Sequence, residues 1–429
     1  MNVLFYPRRR ALEQRGGDLL ALQETIRALE ALDIRATIST DPSLDLTPFE
    51  FVHLYSLGDP FSALEFAFNA LRQNKPLVTT PIYWRRDQWL DARINPQPNH
   101  PEHSLDALTP EEYARVKRVF QLEHDIFRGA HQLILDLAAR VFVLSHAEGQ
   151  ILHDEFGVPF EKLAVTPNGV NPAYAHGDAE RFLRTHSIPT RDFVLCVARV
   201  EERKNSLGVI RAWRNERVPL VFVGRAPDAA YFEMCRAAAD THVYFCGALP
   251  PEQVADACAA ARVHVMASWW EEQGMAALEA GIAGCNLVMT QNSPGREYFG
   301  SACFMCDPGD ESSIHDAICT ALEAPRDDAL PSRIRENFTW ERVAQTLASE
   351  YRAVAPITRS LDGAALLQLT NQLMEMWQIK RARYQELQDT AQRQDIWIKE
   401  LEHIAARRRE RLYTLPLIGP IATWLNTRP

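Results

Sequence analysis

Between Ala267 and Gly284 the chain reads A-S-W-W-E-E-Q-G-M-A-A-L-E-A-G-I-A-G, and this stretch constrains the fold more than any other. Residues 262–266 before it are apolar and β-branched, and read as a buried strand. Past Gly274, the residues Met-Ala-Ala-Leu-Glu-Ala are good helix formers and read as a helix start. A strand that turns into a helix through a glycine leaves room for a ligand to approach the backbone. The first N–H groups of that helix are unpaired, and its dipole favours an anion there. Glu271 in the turn and Glu279 on the helix have seven residues between them, and each carboxylate can accept hydrogen bonds from vicinal hydroxyls. A sugar beside a phosphate is the kind of ligand such a site suits.

The totals set the frame. A chain of 429 residues is too long for one core, so two domains are expected. Apolar residues make up 46% and charged residues 24%, the balance of a globular protein rather than a disordered one. Lys and Arg number 46 against 56 Asp and Glu, and the net charge of −10 argues against a nucleic-acid binder. Of the eight cysteines only Cys303 and Cys306 have C-x2-C spacing, inside an apolar run, and they read as core residues rather than a zinc or redox pair. Met1 leads straight into a strand and no apolar run approaches 18 residues, so neither a signal peptide nor a spanning helix is expected. The expected compartment is the cytoplasm.

The stretch from Glu271 resembles the E-x7-E motif of retaining family 4 glycosyltransferases, which have the GT-B fold. Members usually read E-G-F-G-L-P-x-L-E-A-M-A-x-G-x-P at this place. Glu271, Gly274, Leu278, Glu279, Ala280 and Gly284 match, whereas Glu272, Gln273 and Ala276 depart and Cys285-Asn286 replaces the usual residue–proline pair. The resemblance implies an α/β protein of two doubly wound, Rossmann-like domains facing a cleft.

The N-terminal half fits that frame. Residues 3–6 read as a first strand, followed by a loop with Arg8, Arg9, Arg10, Gly16 and Gly17, a helix over 19–32 and a strand over 34–39. Strand, glycine loop, helix, strand opens a doubly wound domain, whose ligands bind past the carboxyl ends of its strands. The loop is not G-x-G-x-x-G, which disfavours a nicotinamide cofactor. In the family this Gly-Gly loop faces the donor diphosphate and the acceptor. Residues 51–55 resemble the family's buried strand with a histidine, here His53. Members usually continue the next strand with Thr-x-His, but here Thr79-Thr80-Pro81-Ile82-Tyr83-Trp84 stands instead. That histidine is absent, and Tyr83 is the residue placed to supply a hydroxyl or a packed ring. Residues 85–110, rich in Pro, Asn and His, read as an acceptor-side loop or lid. Thr109-Pro110-Glu111-Glu112 reads as a helix start. Residues 164–170, A-V-T-P-N-G-V, resemble the family's strand end at the domain junction and place Asn168 near the sugar.

In the C-terminal half, residues 193–198 read as a strand that ends in A-R-V-E-E-R-K-N. This resembles the family's G-R-x4-K, so Arg199 and Lys204 are expected to grip the leaving diphosphate. Breaking the sugar–phosphate bond builds negative charge that must be met by something cationic. With no Asp-x-Asp in a suitable place, two fixed cations serve in place of a metal. Arg203 between them reads as solvated, and Arg225 as a residue to stack on the base. Residues 338–341, F-T-W-E, resemble the family segment where the last helices cross back.

Expected domains are therefore 1–172 on the acceptor side, 173–340 binding the nucleotide sugar, and a crossing helix over 341–361. A long helix over 362–405 carries 4-3 spacing from Leu366 to Leu401, which suits self-association through a coiled coil or packing on its own chain. The tail 406–429 sets Arg407, Arg408, Arg409 and Arg411 before an apolar patch ending near Leu425, and suits the inner face of an anionic membrane or a partner protein. The resemblance implies hexose transfer from a nucleotide-sugar donor to a glycan or lipid-linked acceptor, in surface polysaccharide synthesis. Glu279 would bind the ribose, Glu271 the donor sugar, and backbone amides at Gly16, Gly17, Gly274 and Met275 the sugar and phosphate. No cofactor, metal or nucleic acid is expected. The competing reading is an inactive GT-B protein that binds a nucleotide sugar or scaffolds partners.

Overall fold

Parallel strands covered on both faces read as continuous apolar runs, and this chain is built from them. The computed structural model describes residues 1–13, 16–85, 88, 127–214 and 216–354. The first domain carries β1 (Asn2–Pro7), β2 (Arg35–Ile38), β3 (Phe51–Tyr55), β4 (Leu77–Thr80), β5 (Arg140–Val143) and β6 (Leu163–Val165). The second carries β7 (Phe193–Val197), β8 (Leu220–Val223), β9 (Val243–Phe245), β10 (Ala261–Met266), β11 (Asn286–Thr290) and β12 (Cys303–Cys306). Each set forms one six-stranded parallel sheet, in the orders β2-β1-β3-β4-β5-β6 and β12-β11-β10-β7-β8-β9. Cys303 and Cys306 are buried at the two ends of β12, as core cysteines should be.

Strand order decides where a ligand can sit. In an open α/β sheet the crevice opens past the carboxyl ends of the strands, where the direction of winding reverses. That point lies between β1 and β3 in the first sheet, and between β7 and β10 in the second. The stretch from Ala267 to Gly274 leaves β10, and the basic A-R-V-E-E-R-K-N segment leaves β7. The two segments singled out in the sequence therefore flank one switch point.

The chain then returns. Helix Trp340–Ala353, capped by the Thr339 hydroxyl accepting from the Arg342 N–H at 3.2 Å, packs on helix Gly17–Glu30. Val343, Ala344, Leu347 and Tyr351 join Val3, Phe5, Leu22 and Leu29 in the first domain's core. Truncating a buried leucine such as Leu347 costs about 2–5 kcal/mol, so this helix is a structural part of the domain it returns to. Its path requires Gly169: a Cβ there would stand 2.5 Å from the Trp340 nitrogen and 2.8 Å from the Thr339 carbonyl carbon. The expected long helix over 362–405, the basic and apolar tail, and nearly all of the 85–110 loop lie outside the described residues. Among the described residues no helix is long and apolar enough to cross a membrane.

Candidate functional site

The turn after β10 is held from both sides. The Trp269 N–H donates to the Arg203 carbonyl at 3.0 Å, and the Glu271 N–H to the Asn292 carbonyl at 3.0 Å. Gly274 then takes φ +77°, and a Cβ on it would sit 2.9 Å from Met266 Sδ and 3.2 Å from Met289 Cε. A side chain there is both strained and crowded, so only glycine fits. Helix Met275–Ile282 starts from this glycine with no side-chain cap; the Ala277 and Leu278 N–H groups donate to the Gly274 carbonyl at 2.9 and 3.3 Å, which leaves the Met275 and Ala276 N–H groups ahead of them to an outside partner.

Two cations meet one carboxylate beneath that helix start. The Glu271 side chain is 5% exposed and accepts from Arg203 Nη1 at 3.0 Å and from Lys204 Nζ. Burial works to raise the Glu271 carboxyl, but the Lys204 and Arg203 charges outweigh it and hold it below its ordinary value. Burial lowers the Lys204 ammonium, helped by the neighbouring Arg203 charge and opposed by Glu271. Arg203 is not the solvated side chain expected from sequence. It also faces Glu201 at 3.6 Å, donates to the Trp270 carbonyl at 3.3 Å, and lies over the Trp270 ring at 5.2 Å. Arg199 pairs with Glu201 at 2.9 Å and is 43% exposed at the cleft. Burial lowers its guanidinium, and the charges of Arg203, Arg225 and Arg8 add to that.

One turn further along the helix, burial pushes the Glu279 carboxyl up to about 7, opposed by a hydrogen bond with the Tyr174 hydroxyl. Glu272, beside Glu271, is raised by burial while Arg203 opposes the shift. The first domain closes against this group. Gly17 starts helix Gly17–Glu30 with its would-be Cβ 3.9 Å from Met275 Sδ. Asn168 donates its N–H to Gln273 Oε1 at 2.6 Å and accepts from Gln273 Nε2 at 3.2 Å. Nearby, Glu297 accepts from the N–H groups of His146 at 2.8 Å and Ala147 at 3.1 Å, at the start of helix His146–Phe156.

The structure thus brings together Arg199, Lys204, Glu271, Gly274, Met275 and Glu279 in the second domain, with Gly16, Gly17 and Asn168 of the first domain beside them. His53 and Tyr83 engage elsewhere. His53 is fully buried, its ring nitrogens bound to the Tyr351 hydroxyl at 2.7 Å and Thr80 Oγ1 at 2.8 Å, and burial drives its pKa down to about 3. It pins the returning helix to the first sheet. Tyr83 donates its hydroxyl to Glu155 at 2.8 Å and its N–H to Glu148 at 2.7 Å. Sequence reasoning passed over Gln273, whose only signal was its departure from the motif, and Arg203, whose signal was its place one residue before Lys204.

Residues 178–339 match the family model described as glycosyl transferases group 1. The chain is 23% identical over 266 residues to the O-antigen chain mannosyltransferase B of Escherichia coli, covering 58% of this chain and 68% of that protein. Among solved structures, sucrose-phosphate synthase from Thermosynechococcus elongatus superposes with a TM-score of 0.64 at 17% identity, over 82% of this chain and 98% of that one. HepE of Anabaena in complex with UDP superposes with a TM-score of 0.59 at 17% identity, over 82% and 100%. The solved structures bear on the fold, which is GT-B. The family model and the E. coli relative support a glycosyltransferase.

Proposed function

We propose that this chain, a glycosyltransferase of the GT-B fold, moves a hexose from a nucleotide-sugar donor to a glycan or lipid-linked acceptor in the synthesis of a surface polysaccharide, with retention at the anomeric carbon and without a metal. The observation that carries the reading is the convergence of Arg199, Lys204, Glu271 and an uncapped helix start on one switch point. Arg199 and Lys204 meet the charge that grows on the diphosphate as the glycosidic bond to phosphate breaks. N–H groups after Gly274 add fixed dipoles aimed at the same charge. Glu279 accepts from the ribose hydroxyls, and Glu271 accepts from the donor sugar while its two cations keep it ionised. The acceptor hydroxyl attacks from the face the diphosphate leaves, and the departing phosphate oxygen takes its proton. HepE, solved with UDP and with UDP-glucose, and the E. coli O-antigen mannosyltransferase support a nucleotide-sugar donor and a surface-glycan product.

The test is turnover with a panel of UDP-, GDP-, ADP- and TDP-sugars, with the anomeric configuration of the product read by NMR. A retained configuration in the presence of excess chelator is expected. Inversion, or loss of activity to the chelator, overturns the mechanism, and tight donor binding without turnover against any glycan or lipid-linked acceptor favours a binding module instead.

A further inference from the structure

Two residues that follow β4 in the first domain lie against the turn that carries Glu271 in the second. Trp84 packs on Trp269 and Trp270, which are 2% and 7% exposed. Gln88 bridges two loops of the second domain. Its Nε2 donates to Asp307 Oδ1 at 2.6 Å, just past β12, and its Oε1 accepts from Asn292 Nδ2, just past β11. The same Asn292 nitrogen also donates to the Trp269 carbonyl at 2.9 Å, and the Asn292 carbonyl accepts from the Glu271 N–H at 3.0 Å. Asp307 Oδ1 is held in turn by the Gly309 N–H at 2.9 Å. The backbone of Gly309 lies alongside, its would-be Cβ 3.5 Å from Gln88 Nε2 and 3.7 Å from Trp269 Cζ3.

Asn292 therefore holds the turn on both sides, through the Trp269 carbonyl and the Glu271 N–H, and Gln88 fixes the orientation of the Asn292 amide. A carboxylate that accepts from sugar hydroxyls works only in a narrow range of positions, and hydrogen-bonded supports set that position. We propose that Gln88 is a positioning residue for the donor sugar: from the first-domain side it sets Asn292, and through Asn292 the turn on which Glu271 meets the sugar. The inference rests on the nucleotide-sugar reading above and names the residue by which the first domain bears on the sugar half of the donor. The diphosphate half is assigned to other groups, Arg199, Lys204 and the start of helix Met275–Ile282. The two halves of the donor thus report on Gln88 separately.

The test is calorimetric titration of the full chain with UDP, GDP, ADP and TDP and with UDP-glucose, GDP-mannose, ADP-glucose and TDP-glucose. The proteins are the wild type, Gln88→Ala, Gln88→Glu and the double variant Gln88→Glu/Asp307→Asn. The readout is the ratio of the dissociation constants of one nucleotide with and without its sugar. Gln88→Ala is expected to weaken the nucleotide sugar about tenfold, or about 1.4 kcal/mol, and to leave the diphosphate unchanged. Gln88→Glu sets one carboxylate against another at Asp307 and is expected to lose at least as much. The double variant exchanges amide and carboxylate between the two positions, so the amide at 307 donates to the carboxylate at 88, and the lost affinity is expected to return. Wild-type ratios in both single variants overturn the role of Gln88 and leave the nucleotide site standing. Equal weakening of diphosphate and nucleotide sugar in Gln88→Ala marks a merely structural support and also overturns it, as does a double variant no better than Gln88→Glu. Failure of every diphosphate to bind the wild type overturns the nucleotide reading, and this inference with it.

Discussion

The side-chain amide of Gln273 reaches across the domain boundary to hold the backbone of Asn168, accepting from its N–H at 2.6 Å and donating to its carbonyl at 3.2 Å. Both residues are buried. Gln273 immediately precedes Gly274, so the clasp ties the start of helix Met275–Ile282 to the first domain. Truncation to alanine leaves a buried N–H and C=O of Asn168 unpaired, at a cost of about 1–3 kcal/mol. Gln273→Ala should therefore lower the unfolding midpoint in denaturant. Gln273→Glu keeps the acceptor but loses the donor and adds a buried charge, so it should cost more than alanine. An alanine variant as stable as the wild type would show that the clasp contributes nothing.

Glu279 combines a structural penalty with a proposed functional role. Its folded pKa of about 7 lies above the ordinary carboxyl value of 4.5. The unfolded chain therefore releases this proton at lower pH than the folded one. Stability from this group is lost as pH rises from about 4.5, and the loss is complete above about 7, where it reaches up to about 3 kcal/mol. Glu279→Gln should match the wild type near pH 4.5 and exceed it in thermal stability at pH 8. The same variant should lose nucleotide-dependent turnover, because an amide cannot replace a carboxylate that accepts from two hydroxyls. Stability curves that run parallel across this range would contradict the buried-acid account.

Glu271 shows the opposite sign. Its carboxyl is held below the ordinary value, so its stabilising contribution is present above that value and fades as pH falls through the acid range. Glu271→Ala leaves Lys204 and Arg203 without their shared buried partner, a change worth about 3–5 kcal/mol in comparable pairs. Lys204→Met should be less harmful to folding, because Arg203 still faces Glu271 at 3.0 Å. Turnover in Lys204→Met should fall about a hundredfold or more. Denaturant melts and steady-state rates of the two variants, compared side by side, check the ranking.

His53 holds the return helix through the Tyr351 hydroxyl at 2.7 Å. Its folded pKa of about 3, against an ordinary 6.5, means that only the unfolded chain takes up a proton between those values. His264, also driven to about 3 chiefly by burial, behaves in the same way. Stability should fall as pH drops below about 6.5. Tyr351→Phe leaves a buried ring nitrogen unpaired and should cost about 1–3 kcal/mol without shifting nucleotide affinity. A change in donor affinity in that variant would place His53 in the site rather than beneath it.

The two sheets were legible because their strands are short apolar runs, and the switch-point loops because a glycine and helix formers follow β10. That Glu271 and Glu279 bracket one turn was legible from their spacing, and that Arg199 and Lys204 stand near it was an expectation carried by the resemblance of their segment to the family's. Gln273 was not, because the partner of its amide is the backbone of residue 168, over a hundred positions away, and backbone groups carry no sequence signal. Arg203 looked solvated because E-E-R-K is charged throughout. Only the fold shows that the 199–205 segment is stitched to Trp269 and lies under Trp270. His53 read as part of the site because its strand resembles a functional one, yet the Tyr351 that occupies it comes from the far end of the described chain.

The most direct measurement is the thermal shift of wild type and Lys204→Met against UDP-, GDP-, ADP- and TDP-sugars. One donor class, at a hundred times its Kd, should stabilise the wild type by about 2.7 kcal/mol and leave Lys204→Met nearly unmoved. No stabilisation of the wild type by any of the four, or equal stabilisation of both proteins, would contradict a diphosphate held at this switch point.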